Sequence, residues 1–358
     1  MKEHKRKKGF KIVAIILAVL LLAVIVLVAG AGSMFKEEMQ IISTIQKVDA
    51  AIPVYTMEIA GDYHFGEFLE QGGASSDAEV AEFLTEKISK GFYKVEAENT
   101  GAGCSVLSAV NENGDHVWGR NFDWTASVAI IVKNTPADGY ASISTCEFGN
   151  ITSAPDAVPE DMMNQMLAIG ALYVPMDGIN EAGLCVADLE VNEGGMIDVD
   201  TEKPDLTITT AIRLLLNKAA TTDEAIELLN QYDIHASGGI SHHLAISDAN
   251  GKSVVVEFVN GKNVVVESNY VTNFNMANGD ISAGGESAKN RFETLQSVYD
   301  ENEGVVTTDE MKDALASVAT LEGEWITQWS VVYDGTEKKV TYWFGGEMGK
   351  PVEGIEFE

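Results

Sequence analysis

The chain has 358 residues, 46% hydrophobic and 22% charged, which is enough to bury one large core or two ordinary ones and too apolar for a disordered polymer. Its 24 Lys and Arg stand against 55 Asp and Glu, a formal charge of −31. That balance excludes nucleic acid as a partner and sets the folded part against anionic membrane surfaces, because both need clustered cations.

In chain order, a basic tail over residues 1–11, MKEHKRKKGFK, precedes an 18-residue stretch from Ile12 to Ala29 without a polar side chain. Such a run is long enough to cross most of a bilayer. The basic flank should stay in the cytoplasm, placing everything after about Gly32 outside. Residues 12–32 are therefore expected to be a transmembrane anchor, with a secretory signal cut after Ala29-Gly30-Ala31 as the alternative. Residues 33–103 read as a helical prosegment. Within it, SSDAEVAEFLTEKISKGFY has Ser76 and Glu79 spaced as a capping box, Val80, Phe83, Leu84 and Ile88 on one face, and Gly91 as a stop.

From Cys104 the texture changes to short alternating strands. VLSAV and HVWGRNF flank the turn NENGD, HLAISDANGKSVVVEFVNGKNVVVES supplies three more strands, and SVVYDGTEKKVTYWF forms a late hairpin. Helical windows lie between them: TITTAIRLLLNKA, TTDEAIELLNQY with Thr221 and Glu224 as a capping box, and TTDEMKDALASVA with Thr307 and Glu310 likewise. Strand blocks separated by helix pairs predict layered α+β architecture over residues 104–358.

Cys104, Cys146 and Cys185 are an odd count without short spacing, which suggests neither a disulfide framework nor a metal site. Cys146 and Cys185 read as small buried apolar residues. Cys104 follows Gly101-Ala102-Gly103 at the head of a strand. A nucleophilic thiol needs a base, and a histidine is one source. His116, His235, His242 and His243 read instead as strand or turn residues. The other source is the α-amine of the same residue, whose unperturbed pKa of about 7.7–8.0 lets it accept the thiol proton once the cysteine is a chain terminus. A cut between Gly103 and Cys104 would make that terminus; an ordinary glycine-rich turn is the other reading of the same stretch.

CSVLSAVNENGDHVWGRNFDW resembles the opening of the choloylglycine hydrolase and acid ceramidase families, amino-terminal-nucleophile (Ntn) hydrolases of linear amide bonds. Their pattern is a Cys, a hairpin, then Gly-Arg-Asn-x-Asp, here Cys104 and Gly119 to Asp123. The resemblance continues in order through DGINEAGLCVADLEVN, SDANGKSVVVEF, VTNFN, SAKNRF and TQWSVVYD. It implies an αββα sandwich of two antiparallel sheets between helical layers, and a set of roles. Cys104 is nucleophile and, through its freed amine, base. Arg120 stabilises the thiolate, Asp123 holds the amine, Asn273 donates to the oxyanion, and Arg291 belongs to the surrounding charge network.

Glu190 occupies a position that is asparagine in bile-salt and penicillin acylases and glutamate in acid ceramidase and N-acylethanolamine acid amidase. Together with the long segment before Cys104, it points to the second group. The expected substrate is then a small-molecule N-acyl amide with an apolar acyl group, with no metal or organic cofactor and the prosegment retained non-covalently. A bile-salt hydrolase or penicillin V acylase is the alternative, and a non-catalytic surface binding protein on the same fold the second. Trp118, Phe122, Trp124, Trp325 and Trp329 read either as an acyl pocket or as core.

Overall fold

A computed structural model describes residues 33–91, 103–152, 157–191, 200–259 and 261–357. The expected membrane span at 12–32 lies outside them, and among the described residues no helix is long and apolar enough to cross a membrane.

The fold is mixed α+β. A nine-stranded sheet runs in the order β1 (Gln46–Val48), β2 (Val54–Ala60), β5 (Ala129–Thr135), β6 (Ser142–Glu147), β7 (Asp177–Asn180), β8 (Cys185–Glu190), β11 (His242–Ser247), β12 (Ser253–Val259) and β13 (Lys262–Glu267). A six-stranded sheet runs β14 (Tyr270–Val271), β3 (Gly103–Val110), β4 (His116–Trp124), β15 (Ile326–Asp334), β16 (Lys339–Phe344) and β17 (Val352–Ile355). A short parallel pair, β9 (Asp205–Thr207) and β10 (Asp233–His235), stands apart.

Three apolar layers bind these sheets to each other and to helices. Val106, Phe122 and Trp329 of the six-stranded sheet meet Ala187, Ala245 and Val255 of the nine-stranded one. On the outer face of the larger sheet, Ile130, Val186 and Leu244 pack with α3 (Asp77–Ser89) and α5 (Ile208–Lys218). On the outer face of the smaller, Leu107, Val117 and Val332 pack with α7 (Gly285–Glu301) and α8 (Thr308–Ser317). Gly119 lets α8 lie close on β4, since a Cβ there would come within 2.6 Å of Met311 Sδ.

Two expectations are corrected. The upstream segment is not simply helical: besides α1 (Lys36–Ile42), α2 (Phe65–Glu70) and α3 it contributes β1 and β2. Nor are both sheets purely antiparallel, because β2 pairs with β5 in parallel, from Val54 opposite Ala129 to Ala60 opposite Thr135. The period-two burial of VYTMEIA carried that signal. The segment also shares its core with the rest of the chain, as Val80, Phe83, Leu84 and Ile88 pack in one cluster with Leu184, Leu215 and Ile246.

Capping follows the sequence with one variation. Thr307 and Glu310 form a complete reciprocal box. Ser76 accepts from Glu79 N, but Glu79 Oε2 reaches back one residue further, to Ser75 N at 2.8 Å. Glu224 does the same with Ala220 N at 2.7 Å.

Candidate active site

Cys104 sits at the start of β3, directly opposite Phe122 of β4, and Gly103 lies opposite Asp123. Because side chains alternate along a strand, Arg120 and Asp123, three residues apart, leave β4 on opposite faces. Arg120 enters the layer between the sheets on the same side as the Cys104 thiol. Asp123 points to the helical layer, beside Gly103 and Arg291.

The thiol side is deeply buried. Arg120 Nη2 lies 3.3 Å from Cys104 Sγ and donates to the Asp188 carbonyl at 2.7 Å. Arg120 Nη1 donates to the Met176 carbonyl at 2.7 Å and pairs with Asp177, which also accepts from Trp329 Nε1 at 2.8 Å. Trp329 stacks on Phe122 with ring centroids 3.9 Å apart. In the uncut chain the Cys104 nitrogen is a peptide amide and no base. Burial pushes its thiol up to about 11 although Arg120 pulls the other way, so the thiol is protonated at neutral pH.

The other side is a clamp. Cys104 N donates to Asn273 Oδ1 at 2.7 Å, and Arg291 Nη2 donates to the same oxygen at 2.9 Å. Two donors on one oxygen fix the amide orientation. Arg291 Nη1 donates to the Cys104 carbonyl and to Ser105 Oγ, the latter at 2.7 Å. Asp123 accepts from Thr327 Oγ1 at 2.6 Å and lies 3.8 Å from Arg291 Nη1. A register shift in β15 between Thr327 and Trp329 presents Thr327 to Asp123 and Trp329 to Phe122. Burial raises the Asp123 pKa, against the pull of Arg291 and Thr327.

The structure therefore brings Cys104, Arg120, Asp123, Asn273 and Arg291 together, with partners that differ from those expected in two places. The Cys104 nitrogen is held by Asn273 rather than Asp123. The Asn273 amide donates to the Glu190 carbonyl at 3.0 Å. Glu190 is half-buried and lines a small cavity at the thiol together with Phe122, Trp124, Met176, Ile240 and His242. That cavity measures about 10 Å³, room for one water molecule at most. A second cavity of about 160 Å³, lined by Asp123, Ser287, Arg291, Thr320 and Trp325, opens at Gly103. Trp118 and Trp329 are core.

Sequence reasoning missed Asp177 and Asp188, and it read His242 as a strand or turn residue without placing it at the site. His242 Nδ1 lies 2.8 Å from Asp188 Oδ1, and Nε2 donates to the Ser237 carbonyl at 2.7 Å. Burial opposes its charge, but Asp188 and the Ser237 carbonyl hold its pKa above the ordinary histidine value. With both nitrogens engaged, His242 is no base for the thiol, and its neighbour His243 leaves the opposite face of β11 to meet Glu257 at 3.3 Å. The available signal was spacing: Asp188 is two residues from Glu190 and so shares its face of β8.

A model of the family described as linear amide C-N hydrolases, choloylglycine hydrolase family, matches residues 104–278. Over those residues, just under half of its length, the chain is similar to the choloylglycine hydrolase family. The match makes it an enzyme acting on linear amide C–N bonds. No curated protein matches the chain significantly in sequence. Among solved structures, a mutant of conjugated bile acid hydrolase from Clostridium perfringens aligns with a TM-score of 0.51 and 19% identity over 67% of this chain and 89% of that one, and shares the fold. Another variant of that hydrolase gives 0.49 and 18% over 67% and 88%. Penicillin V acylase from Agrobacterium tumefaciens gives 0.48 and 20% over 67% and 82%. The choloylglycine hydrolase match begins at Cys104 and includes Arg120, Asp123, Glu190 and Asn273, while Arg291 lies beyond it.

Proposed function

We propose that the chain is a cysteine amidohydrolase of N-acyl amines, such as N-acylethanolamines or ceramide-like amides, that acts through a thioester after a cut between Gly103 and Cys104. The observation that carries this reading is Cys104 itself, with its sulfur against Arg120 and its nitrogen held by Asn273. In the cut, the thiol adds to the Gly103 carbonyl carbon, the C–N bond to Cys104 breaks, and its nitrogen leaves as an amine with the thiol proton. Water then hydrolyses the thioester to the Gly103 carboxylate and the free thiol. In turnover the amine takes the thiol proton, the thiolate attacks the substrate carbonyl, the ammonium returns the proton to the departing amine, and water hydrolyses the thioester to the free carboxylic acid and the thiol. Asn273 keeps an acceptor on the Cys104 nitrogen, and Asp123 supplies a countercharge on the same side. Asn273 would serve the oxyanion through its amide nitrogen, which carries two hydrogens, one of them donated to the Glu190 carbonyl.

The thiol cavity supports the substrate class. Phe122, Trp124, Met176 and Ile240 suit an apolar acyl group, while Asp188 and Glu190 nearby oppose an anionic amine such as taurine. With the processed enzyme, kcat/KM for an N-acylethanolamine should exceed that for taurocholate or penicillin V by roughly tenfold or more, the scale of one mismatched polar or charged contact. A preference for taurocholate would replace this reading with bile-salt hydrolysis.

Residues 12–32 are proposed to anchor the enzyme with its catalytic part outside the cell, on the strength of the uninterrupted apolar run. Alkaline extraction should leave the full chain in the membrane pellet, and release of a form beginning near residue 32 would show a cleaved signal instead.

A further inference from the structure

The cavity at Cys104 is too small for any acyl chain, so something has to move before a substrate reaches the sulfur. The wall suited to move is the turn at residues 236–241 between β10 and β11. Gly238 and Gly239 follow one another there with φ of 63° and 70°, a left-handed pair that glycine adopts without steric cost. Ser237 and Ile240, on either side of the pair, both line the cavity.

This turn is held at several points, with Thr209 N reaching Ser237 Oγ at 3.5 Å and Val191 N the Ser241 carbonyl at 2.9 Å, and two further ties link it to the upstream helix and to the thiol site. Gly238 N donates to Asp77 Oδ2 at 2.6 Å, and Asp77 is the first residue of α3, in the segment upstream of Cys104. Burial raises the Asp77 pKa, while Gly238 and Ser237 pull it back. At the second of these ties the Ser237 carbonyl takes the His242 Nε2 hydrogen, and His242 is held in turn by Asp188. The Asp188 carbonyl accepts from the Arg120 Nη2 that also reaches Cys104 Sγ. An unbroken line of hydrogen bonds therefore runs from the upstream helix, through the turn, to the nucleophile.

We propose that residues 237–240 are a flap over the Cys104 thiol and that Asp77 and His242 are latches on it, positioning residues that set how readily a substrate reaches the sulfur. Asp77 acts from outside the family-matched region, so access to the thiol is controlled by the upstream segment. The consequence for turnover rests on the proposed amidohydrolase activity. The flap itself does not.

The test is alkylation of the full chain by iodoacetamide at alkaline pH, read cysteine by cysteine from peptide masses. Asp77→Ala should raise the Cys104 rate about tenfold by favouring local opening. Asp77→Asn keeps an oxygen for Gly238 N and should stay within about twofold of wild type, since one neutral acceptor replaces a charged one. Glu79→Ala, which weakens the same first turn of α3 without touching the flap, should leave Cys104 unchanged. Cys146 and Cys185, fully buried elsewhere, report general loosening. An unchanged Cys104 rate in Asp77→Ala, or an equal rise at all three cysteines, would overturn the proposal. If Asp77→Ala does not fold, His242→Phe, which has no donor for the Ser237 carbonyl, cuts the other latch and is read the same way. Because alkylation needs no turnover, a protein inert toward amides but sensitive at Asp77 keeps the flap and loses the amidase, and the reverse result does the opposite.

Discussion

Cys104→Ala should stay whole and inert under every condition in which the wild-type chain is expected to divide between Gly103 and Cys104. Intact mass measured over time at several pH values is the readout. Amide hydrolysis should fall by about 10⁴-fold or more, the scale on which a preorganised site loses activity with its nucleophile. The uncut chain explains why no lesser group suffices. Its thiol, pushed up to about 11 by burial, has Arg120 as its hydrogen-bond partner, and both nitrogens of the nearby His242 are already engaged. On the proposed reading, the base comes from the cut itself. Iodoacetamide labelling of Cys104 in uncut wild type should therefore climb through alkaline pH toward about 11, and in the cut enzyme the same rise should appear at lower pH. Cleavage of Cys104→Ala at the same bond would show that another protease makes it.

Arg120→Met is expected to be the most damaging change away from the nucleophile. Burial raises the thiol pKa and Arg120 lowers it, so removing the cation moves that pKa further up and thins the thiolate at every pH. The same substitution takes the Arg120 donor from buried Asp177, which among the described residues keeps Trp329 Nε1, and from the Met176 and Asp188 carbonyls, the first of which keeps Asp188 N. Removing one partner of such a pair typically costs about 3–5 kcal/mol. Urea midpoints should fall accordingly, with kcat/KM down by roughly 10²-fold or more for loss of a charge beside the reacting group. Arg120→Lys should recover little, because an ammonium cannot reach acceptors that the guanidinium fork spans. A variant with wild-type midpoint and rate would remove Arg120 from the site.

What the sequence made legible was local. Cys104 and Arg120 belong to one hairpin, so their proximity follows from the turn between VLSAV and HVWGRNF, and the opposite faces of Arg120 and Asp123 follow from their spacing. The presence of Asn273 and Arg291 at the site came from ordered motifs rather than from any pattern of burial. Their partners did not come with them: whether Asn273 or Asp123 holds the Cys104 nitrogen depends on how α7 packs against β3. Asp188 and His242 were hidden for a similar reason, since their meeting needs the pairing of β8 with β11 across a long intervening segment. The strand over Val54–Ala60 was missed although its alternation was visible, because the stronger helical signal of α3 coloured the whole segment.

The parallel pairing of β2 with β5 bears on how the terminal nucleophile can arise at all. A polypeptide synthesised from Cys104 onward would lack β1 and β2 and present the backbone of Ala-Ile-Ile-Val-Lys-Asn-Thr as an open sheet edge. An apolar, unpaired edge of that kind recruits strands from other molecules and drives aggregation. It would also bare the core surface that α3 covers. On the proposed cut, synthesis has therefore to precede scission: the free cysteine would be made by cutting a molecule that has already folded, and the upstream piece would be expected to stay behind as the cover of that edge.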